Sequence, residues 1–441
     1  MNIEEKKILI DKLVQDRDNI LLDYVSFSQQ ERLGISEIAK KWKEGKKLDE
    51  LIPIKFYLHI PFCSRICTYC MYNTIVLDKK EEFDKYISDV FNYISRFKDI
   101  FLETRFRGIY VWWWTPSLFN VERLHRLFSK IFQEFSFDEK YYKTIELNPS
   151  STTFEKLKCL KELWFDRVSF WVQSFNKKTL EKENRTYVSP ERMKNLIDYS
   201  KELGFLDINT DIIVWMNDEW EDEVFQNFKI LQNISPYTIT VYTILKDMER
   251  SYFYKEDKET FYRQIGELYS KTLRKSNILS MYKKDDWSNV LGFTLTLKWK
   301  PKNKLLYDAH CEEKESLFWV GYKAYSKIWG IGSYEIRNFW ERRNIHAFQK
   351  LTTKLEMYSY VLQTFQYKID KKHFSKNFHL SFDKEFSEVL SFLEGEKIIK
   401  NSINEVVYIW DEKKIGYYGM LFLDTKTLLL FIKYRFYTSK N

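Results

Sequence analysis

Three of the chain's five cysteines, Cys63, Cys67 and Cys70, fall within eight residues in the stretch YLHIPFCSRICTYCMYN. The spacing C-x3-C-x2-C places three soft thiolate ligands on one short loop, directly after a strand expected over Lys55–Ile60. Such a set suits an iron–sulfur cluster, which cysteines hold and which normally takes four of them, so three local thiolates would leave one iron open to another donor. Two other readings use the same residues: a zinc site completed by His59, or three unconnected thiols. Zinc sites generally come as paired C-x2-C or Cys/His halves, and no second half is visible in the sequence. An odd cysteine count clustered in this way is ligand chemistry rather than a disulfide framework. Cys159, inside the helical stretch FEKLKCLKEL, reads as core, and Cys311 carries no signal.

A ligand loop needs a frame, and the sequence supplies strands alternating with helices. Strands are expected over Lys55–Ile60, Arg107–Trp113, Tyr142–Leu147, Arg167–Val172, Asn209–Trp215 and Thr238–Ile244. Amphipathic helical stretches fill the gaps at Glu81–Phe97, Val121–Glu134, Phe154–Leu163, Lys177–Leu203 and Glu221–Asn233. Repeated β-α units argue for an α/β fold with a parallel sheet, curled into a full or partial barrel. Barrels of this kind carry their sites at the C-terminal ends of the strands. The conspicuous polar residues lie there: the cysteine loop, Thr115, Glu146 with Asn148, Gln173 with Ser174, and Asp211.

Around this core, residues 1–50 contain charged helical patterns and read as an N-terminal helical extension capping the barrel. Residues 51–250 form the barrel core, 251–345 a barrel extension and connecting region, and 346–441 a C-terminal winged-helix-like α+β domain of helices followed by a small hairpin. The 71 Lys and Arg against 63 Asp and Glu give a net charge of +8. The basic residues are spread through the chain, which reads as a solvated surface rather than a nucleic-acid footprint. No run of ~18 apolar residues appears, and the charged start MNIEEKKILIDK is not a signal peptide, so a soluble cytoplasmic protein without a membrane span is expected.

The segments YLHIPFCSRICTYC, TPS, IELNPSSTT, DRVSFWVQSFN and NTDIIVW follow one another in that order. With them the chain resembles the radical S-adenosylmethionine (SAM) enzymes, in particular the branch of oxygen-independent coproporphyrinogen III oxidases and their haem-chaperone relatives. The resemblance covers roughly Phe56 to Ile244. It implies a partial (β/α)6 barrel, a [4Fe–4S] cluster on Cys63, Cys67 and Cys70, and SAM chelating the fourth iron. It further implies that Tyr57 and Tyr69 pack against SAM beside the cluster, and that Trp113, Trp114 and Thr115 line its methionine end through the backbone. Glu146, Gln173, Arg185 and Asp211 would contact its amino, carboxylate or ribose groups. Reductive cleavage of SAM to a 5′-deoxyadenosyl radical is the implied chemistry. A tetrapyrrole is the implied small-molecule substrate, haem a further candidate ligand, and a flavodoxin or ferredoxin the implied electron donor. The oxidases carry one more cysteine two residues beyond the third; here Cys70-Met71-Tyr72 has none, which shifts weight toward the haem chaperones.

The same segments expose an anomaly. Where the family reads GGGTPS, the chain has Trp112-Trp113-Trp114-Thr115-Pro116-Ser117, and Trp164, Trp171 and Trp215 stand at three further family glycines. The chain has 14 Trp but only 12 Gly in 441 residues, where glycine averages ~7%. The pattern reads as recoding, with UGA codons that specify glycine rendered as tryptophan. The alternative is a tryptophan-rich homologue that no longer binds SAM.

Overall fold

The computed structural model describes residues 2–14, 30–70, 74–76, 81–112, 115–214, 216, 219, 221–244, 283–284, 290–296, 314–337, 339, 345–365, 368–410 and 414–436. Trp113, Trp114, Trp215 and most of the 251–345 region lie outside them. The chain divides into two compact units: Lys55–Leu306 with Trp319–Ala324, and Met1–Ile54 with Tyr307–Phe318 and Tyr325–Asn441.

The first unit is framed by six strands: β1 (Ile54–His59), β2 (Ile109–Trp112), β3 (Lys143–Leu147), β4 (Arg167–Gln173), β5 (Asp207–Val214) and β6 (Thr238–Ile244). Each pairs in parallel with the next in sequence. The far edge of β6 takes an antiparallel strand, β7 (Val290–Thr296). The parallel array therefore does not close on itself at β6, and the full-barrel alternative gives way to a partial one.

The intervening helices are α1 (Glu81–Ile94), α2 (Val121–Glu134), α3 (Phe154–Glu162), α4 (Lys177–Lys182), α5 (Pro190–Glu202) and α6 (Glu221–Ile234). Helix α2 shows how the sequence makes one. Asn120 caps its start by accepting the Arg123 N–H at 2.9 Å, and Leu124, Leu127, Phe128 and Ile131, spaced three, one and three apart, form the buried stripe. Strands β1 and β5 are buried along their whole length, as parallel strands covered on both faces must be.

The single helix expected over Lys177–Leu203 is two. After α4 the chain turns through Asn184 at φ 51°, with the Arg185 N–H returning to the Leu180 carbonyl at 2.8 Å. Helix α5 then starts afresh, with Ser189 capping the Arg192 N–H at 3.1 Å and Pro190 in the first turn. Proline has no N–H to continue an earlier helix and suits this position.

Helix α3 ends in a Schellman turn. The Phe165 N–H bonds to the Leu160 carbonyl at 3.1 Å and the Trp164 N–H to the Lys161 carbonyl at 3.0 Å. Trp164 occupies the left-handed position of that turn, φ 66°, with its indole 75% exposed. Glycine is the usual residue here because a Cβ crowds the backbone. Trp164→Gly is expected to raise stability in urea melts by about 1 kcal/mol, whereas Trp164→Ala, which keeps the Cβ, gives no comparable gain.

In the second unit, Glu31–Gly34, Ile345–Lys350, Gly332–Ile336 and Tyr325–Ile328 pair antiparallel in that order. The C-terminal part contains helices at Thr353–Phe365, Lys371–Phe378 and Ser387–Gly395, and a three-stranded sheet of Ile369–Asp370, Glu405–Tyr408 and Ile399–Asn401. Its core, including Val361, Phe374, Leu390, Val406 and Leu428, also takes in Ile3 and Ile10 from the N-terminal helix Ile3–Leu13.

Candidate cluster and cofactor site

The cysteine loop leaves the C-terminal end of β1. Phe62–Cys63 pairs in parallel with Ile75–Val76, closing the loop at its base, and the Cys70 N–H bonds to the Cys67 carbonyl at 3.0 Å. No disulfide involves Cys63, Cys67 or Cys70. Each sulfur has a polar neighbour: Thr115 Oγ1 lies 3.1 Å from Cys63 Sγ, Arg185 Nη1 donates to Cys67 Sγ at 3.7 Å, and Thr74 Oγ1 lies 3.9 Å from Cys70 Sγ. Burial pushes the Cys63 thiol above its ordinary range.

His59 does not complete a zinc site. It is fully buried, its carbonyl accepts the Tyr86 hydroxyl, and burial lowers its imidazole pKa to about 3. Among the described residues no three His, Cys, Asp or Glu side chains gather closely enough to hold a metal ion. Three cysteines spread around a multi-iron cluster need not converge on one point, so this arrangement weighs against a single ion more than against a cluster.

The other expected residues sit along the parallel strands. Tyr57 on β1 stacks on Tyr110 of β2, with ring centroids 5.2 Å apart and planes 8° from parallel, and the Tyr110 hydroxyl donates to Glu146 Oε1 at 2.7 Å. Tyr69 packs against Leu180, Ile213 and Met216. Thr115 is buried, its backbone N–H bonds to the Phe62 carbonyl at 2.9 Å and its hydroxyl lies against Cys63 Sγ, so both groups meet the base of the cysteine loop. Gln173 ends β4 at φ 73°, where the pairing with β5 slips between Asp211 and Ile212. Its side-chain amide oxygen is buried without a hydrogen-bond partner. An unsatisfied buried acceptor costs roughly 1–3 kcal/mol, which a ligand bearing an N–H or O–H would recover. Arg185, also buried, reaches from Cys67 to the Trp171 carbonyl. Trp171 is half-buried on β4, in register with Asp211.

Asp211 belongs to a polar network missed at the level of sequence. Its carboxylate accepts from Ser169 Oγ at 3.0 Å and Asn209 Nδ2 at 2.8 Å, and Thr240 Oγ1 donates to Asn209 Oδ1 at 3.0 Å. Nearby, Arg167 and Asp207 form a buried ion pair at 2.7 Å. The signal was the alternation of Asp207, Asn209 and Asp211 along DINTDIIV, which sets three polar groups on one strand face.

Burial raises the Asp211 carboxyl pKa from 3.8 to about 6. Folding therefore favours its protonated form: the associated stability is complete below pH 3.8 and is lost as the pH rises through 6. Two units correspond to about 3 kcal/mol. Against the parent, Asp211→Asn should lose this pH dependence between pH 4 and 6.5 in ligand-free urea melts, and parallel profiles would contradict the assignment.

Residues 57–229 match the family described as the Radical SAM superfamily. The chain carries a radical SAM domain. It is 25% identical to the haem chaperone HemW of Haemophilus influenzae over 48% of this chain and 56% of that protein. It is 26% identical to the oxygen-independent coproporphyrinogen III oxidase of Escherichia coli over 43% and 41% respectively. The match to HemW of Bacillus subtilis is longer, 24% identity over 82% of this chain and 96% of that one. Against HemW of Haemophilus influenzae, HemW of Lactococcus lactis and the oxygen-independent coproporphyrinogen III oxidase of Synechocystis, the chain spans about half of each relative's length or less. The solved coproporphyrinogen III oxidase of Escherichia coli superposes with a TM-score of 0.67 at 17% identity, covering 97% of this chain and 98% of that one. The α/β radical SAM fold expected from sequence is the one present; the sheet is large and mixed rather than purely parallel, and it is compatible with a partial barrel. Among the described residues no helix is long and apolar enough to cross a membrane.

Proposed function

We propose that Cys63, Cys67 and Cys70 hold a [4Fe–4S] cluster and that SAM binds beside it, against Tyr57, Tyr69, Thr115, Glu146, Gln173, Arg185 and Asp211. The observation that carries this reading is the cysteine loop at the end of β1, with Thr115 and Arg185 brought to two of its sulfurs from different strand connections. The buried, unpartnered Gln173 oxygen supports it, as an acceptor suited to a ligand amine or hydroxyl. When bound, a reduced cluster and SAM together supply one-electron cleavage of a sulfonium and a carbon radical able to take hydrogen from a substrate. The chain's own part is binding, orientation and exclusion of water. Glu146 and Asp211 offer carboxylates to the amino or ribose groups. Their hydrogen bonds to Tyr110, Ser169 and Asn209 hold those carboxylates in place before any ligand arrives.

The glycine-to-tryptophan pattern belongs to the same reading. We take positions 112, 113, 114, 164, 171 and 215 as glycine in the native protein. Trp164 supports this, since its left-handed turn is a glycine position. In-frame UGA at these six codons and glycine in the mass spectrum of native protein are expected; UGG would sink the idea.

The substrate is a tetrapyrrole in this reading, encountered in a cytoplasm reducing enough to keep the loop thiols out of disulfides. One observation favours a second reading, haem binding and transfer without oxidation: Tyr72 stands where the oxidases have a further cysteine. Anaerobic decarboxylation of coproporphyrinogen III, run beside a haem titration of the same preparation, separates the two. Product formation establishes the oxidase, and stoichiometric haem binding without product establishes the chaperone.

A further inference from the structure

The segment that splits the expected long helix lies against the cysteine loop. We propose that Glu183, Asn184 and Arg185 form a clasp that positions this loop and biases the charge at its sulfurs, an inference resting on the cluster reading above. Three consecutive residues of the segment hold three consecutive residues of the loop, more than 110 positions earlier in the chain. The Thr68 N–H bonds to the Glu183 carbonyl at 3.2 Å, and the Thr68 hydroxyl donates to the Glu183 carboxylate. Asn184 Nδ2 donates to the Ile66 carbonyl at 2.8 Å. Between these two, Arg185 donates to Cys67 Sγ at 3.7 Å and to the Trp171 carbonyl.

The clasp is itself rigid. Asn176 caps α4 through the Lys178 and Thr179 N–H groups, and its Nδ2 donates to Glu223 at 2.9 Å. At the other end of α4, the Glu183 N–H returns to Thr179 and the Arg185 N–H to Leu180. Asn184 supplies the left-handed residue between them, a conformation asparagine tolerates better than most. Cysteines that ligate one cluster must keep a fixed mutual geometry, and a short loop does not enforce this alone. Groups bonded to a ligand's neighbours supply the constraint, and a cation on a ligating sulfur stabilises the more negative, reduced state of what it binds. Glu183, Asn184 and Thr68 are positioning residues in this scheme, and Arg185 adds the charge.

The test uses the full chain with glycine at positions 112, 113, 114, 164, 171 and 215, reconstituted anaerobically, as the parent of four substitutions. Asn184→Gly keeps the left-handed turn and removes only the amide. Thr68→Ala removes the hydroxyl from the loop side, and Arg185→Gln and Arg185→Lys separate charge from shape. Asn184→Gly and Thr68→Ala should release iron to a chelator about 10- to 100-fold faster than the parent, with the melting of the cluster-free chain unchanged. Arg185→Gln should shift the cluster's midpoint potential to more negative values, and Arg185→Lys should recover part of the shift. Parent-like release and potential in all four overturn the clasp while leaving the cluster intact. A parent that takes up no iron overturns the cluster reading instead. The clasp then stands or falls on the metal-free chain, where Asn184→Gly should speed alkylation of Cys67 by iodoacetamide, and an unchanged rate overturns it.

Discussion

Replacing Cys63, Cys67 or Cys70 by alanine abolishes the uptake of about four iron and four sulfide expected of the full chain with glycine at positions 112, 113, 114, 164, 171 and 215. The size of the effect follows from the ligand count. Three thiolates are the whole protein contribution in this reading, and a cube that loses one of three keeps two contacts on an eight-residue loop. Of the two other cysteines, Cys311 lies outside the described residues. Cys159 is buried in α3, its sulfur 3.8 Å from the Val121 carbonyl. Cys159→Ala is therefore the control, and it should leave iron content unchanged. Iron and sulfide analysis with visible and EPR spectra checks the result, and full cluster retention in all three loop variants would end the radical SAM reading.

The frame of this site was legible because parallel strands covered on both faces are nearly continuous buried runs, and because the helices between them carry apolar stripes. Val121–Glu134 and Thr238–Ile244 fall where periodicity puts them, and the other strands differ by a residue or two at their ends. The break after Lys182 was hidden for a physical reason. Met193, Leu196 and Ile197 form an apolar stripe, and the glycine-free, charged run from Lys177 leads into it, so composition argues for one helix even though Leu180, at roughly 100° per residue, falls on another face. Ser189-Pro190 was the available stop-and-start signal, and it outweighs the stripe because proline cannot donate back into the preceding turn.

Residue types at the strand ends were equally legible, but their partners were not. The sequence puts Thr115, Arg185 and Asp211 near the site. It does not say that Thr115 turns its hydroxyl rather than its amide to Cys63, or that Arg185 divides itself between Cys67 and the Trp171 carbonyl. Those contacts join residues 14 to 118 positions apart, and beside them a register slip between β4 and β5 accompanies the left-handed backbone of Gln173. No local pattern encodes such a slip. Trp164 is the opposite case, where the residue type is conspicuous in the sequence and the backbone adds one fact beside it: an indole occupies a left-handed turn position that glycine usually takes.

The chain with tryptophan at positions 112 to 114 should fail to bind and cleave SAM, and Trp112→Gly, Trp113→Gly and Trp114→Gly together should restore binding before they restore full stability. In sequence these residues lead from the end of β2 to Thr115, whose hydroxyl lies 3.1 Å from Cys63 Sγ. A backbone that approaches a cofactor closely needs residues without Cβ, both for the distance and for unusual φ and ψ. Indoles there would occupy the ligand's volume, and overpacking costs typically ~1–3 kcal/mol per site. The triple change clears the loop but leaves Trp164 strained at its left-handed turn and Trp171 beside Asp211. Two observables then separate. SAM affinity, by equilibrium dialysis, should recover with the triple change alone. Melting temperature should rise further only when Trp164, Trp171 and Trp215 also become glycine. If the tryptophan chain bound SAM and released 5′-deoxyadenosine as fast as the glycine chain, the argument for a Cβ-free loop would fall, and the tryptophans would stand as native residues.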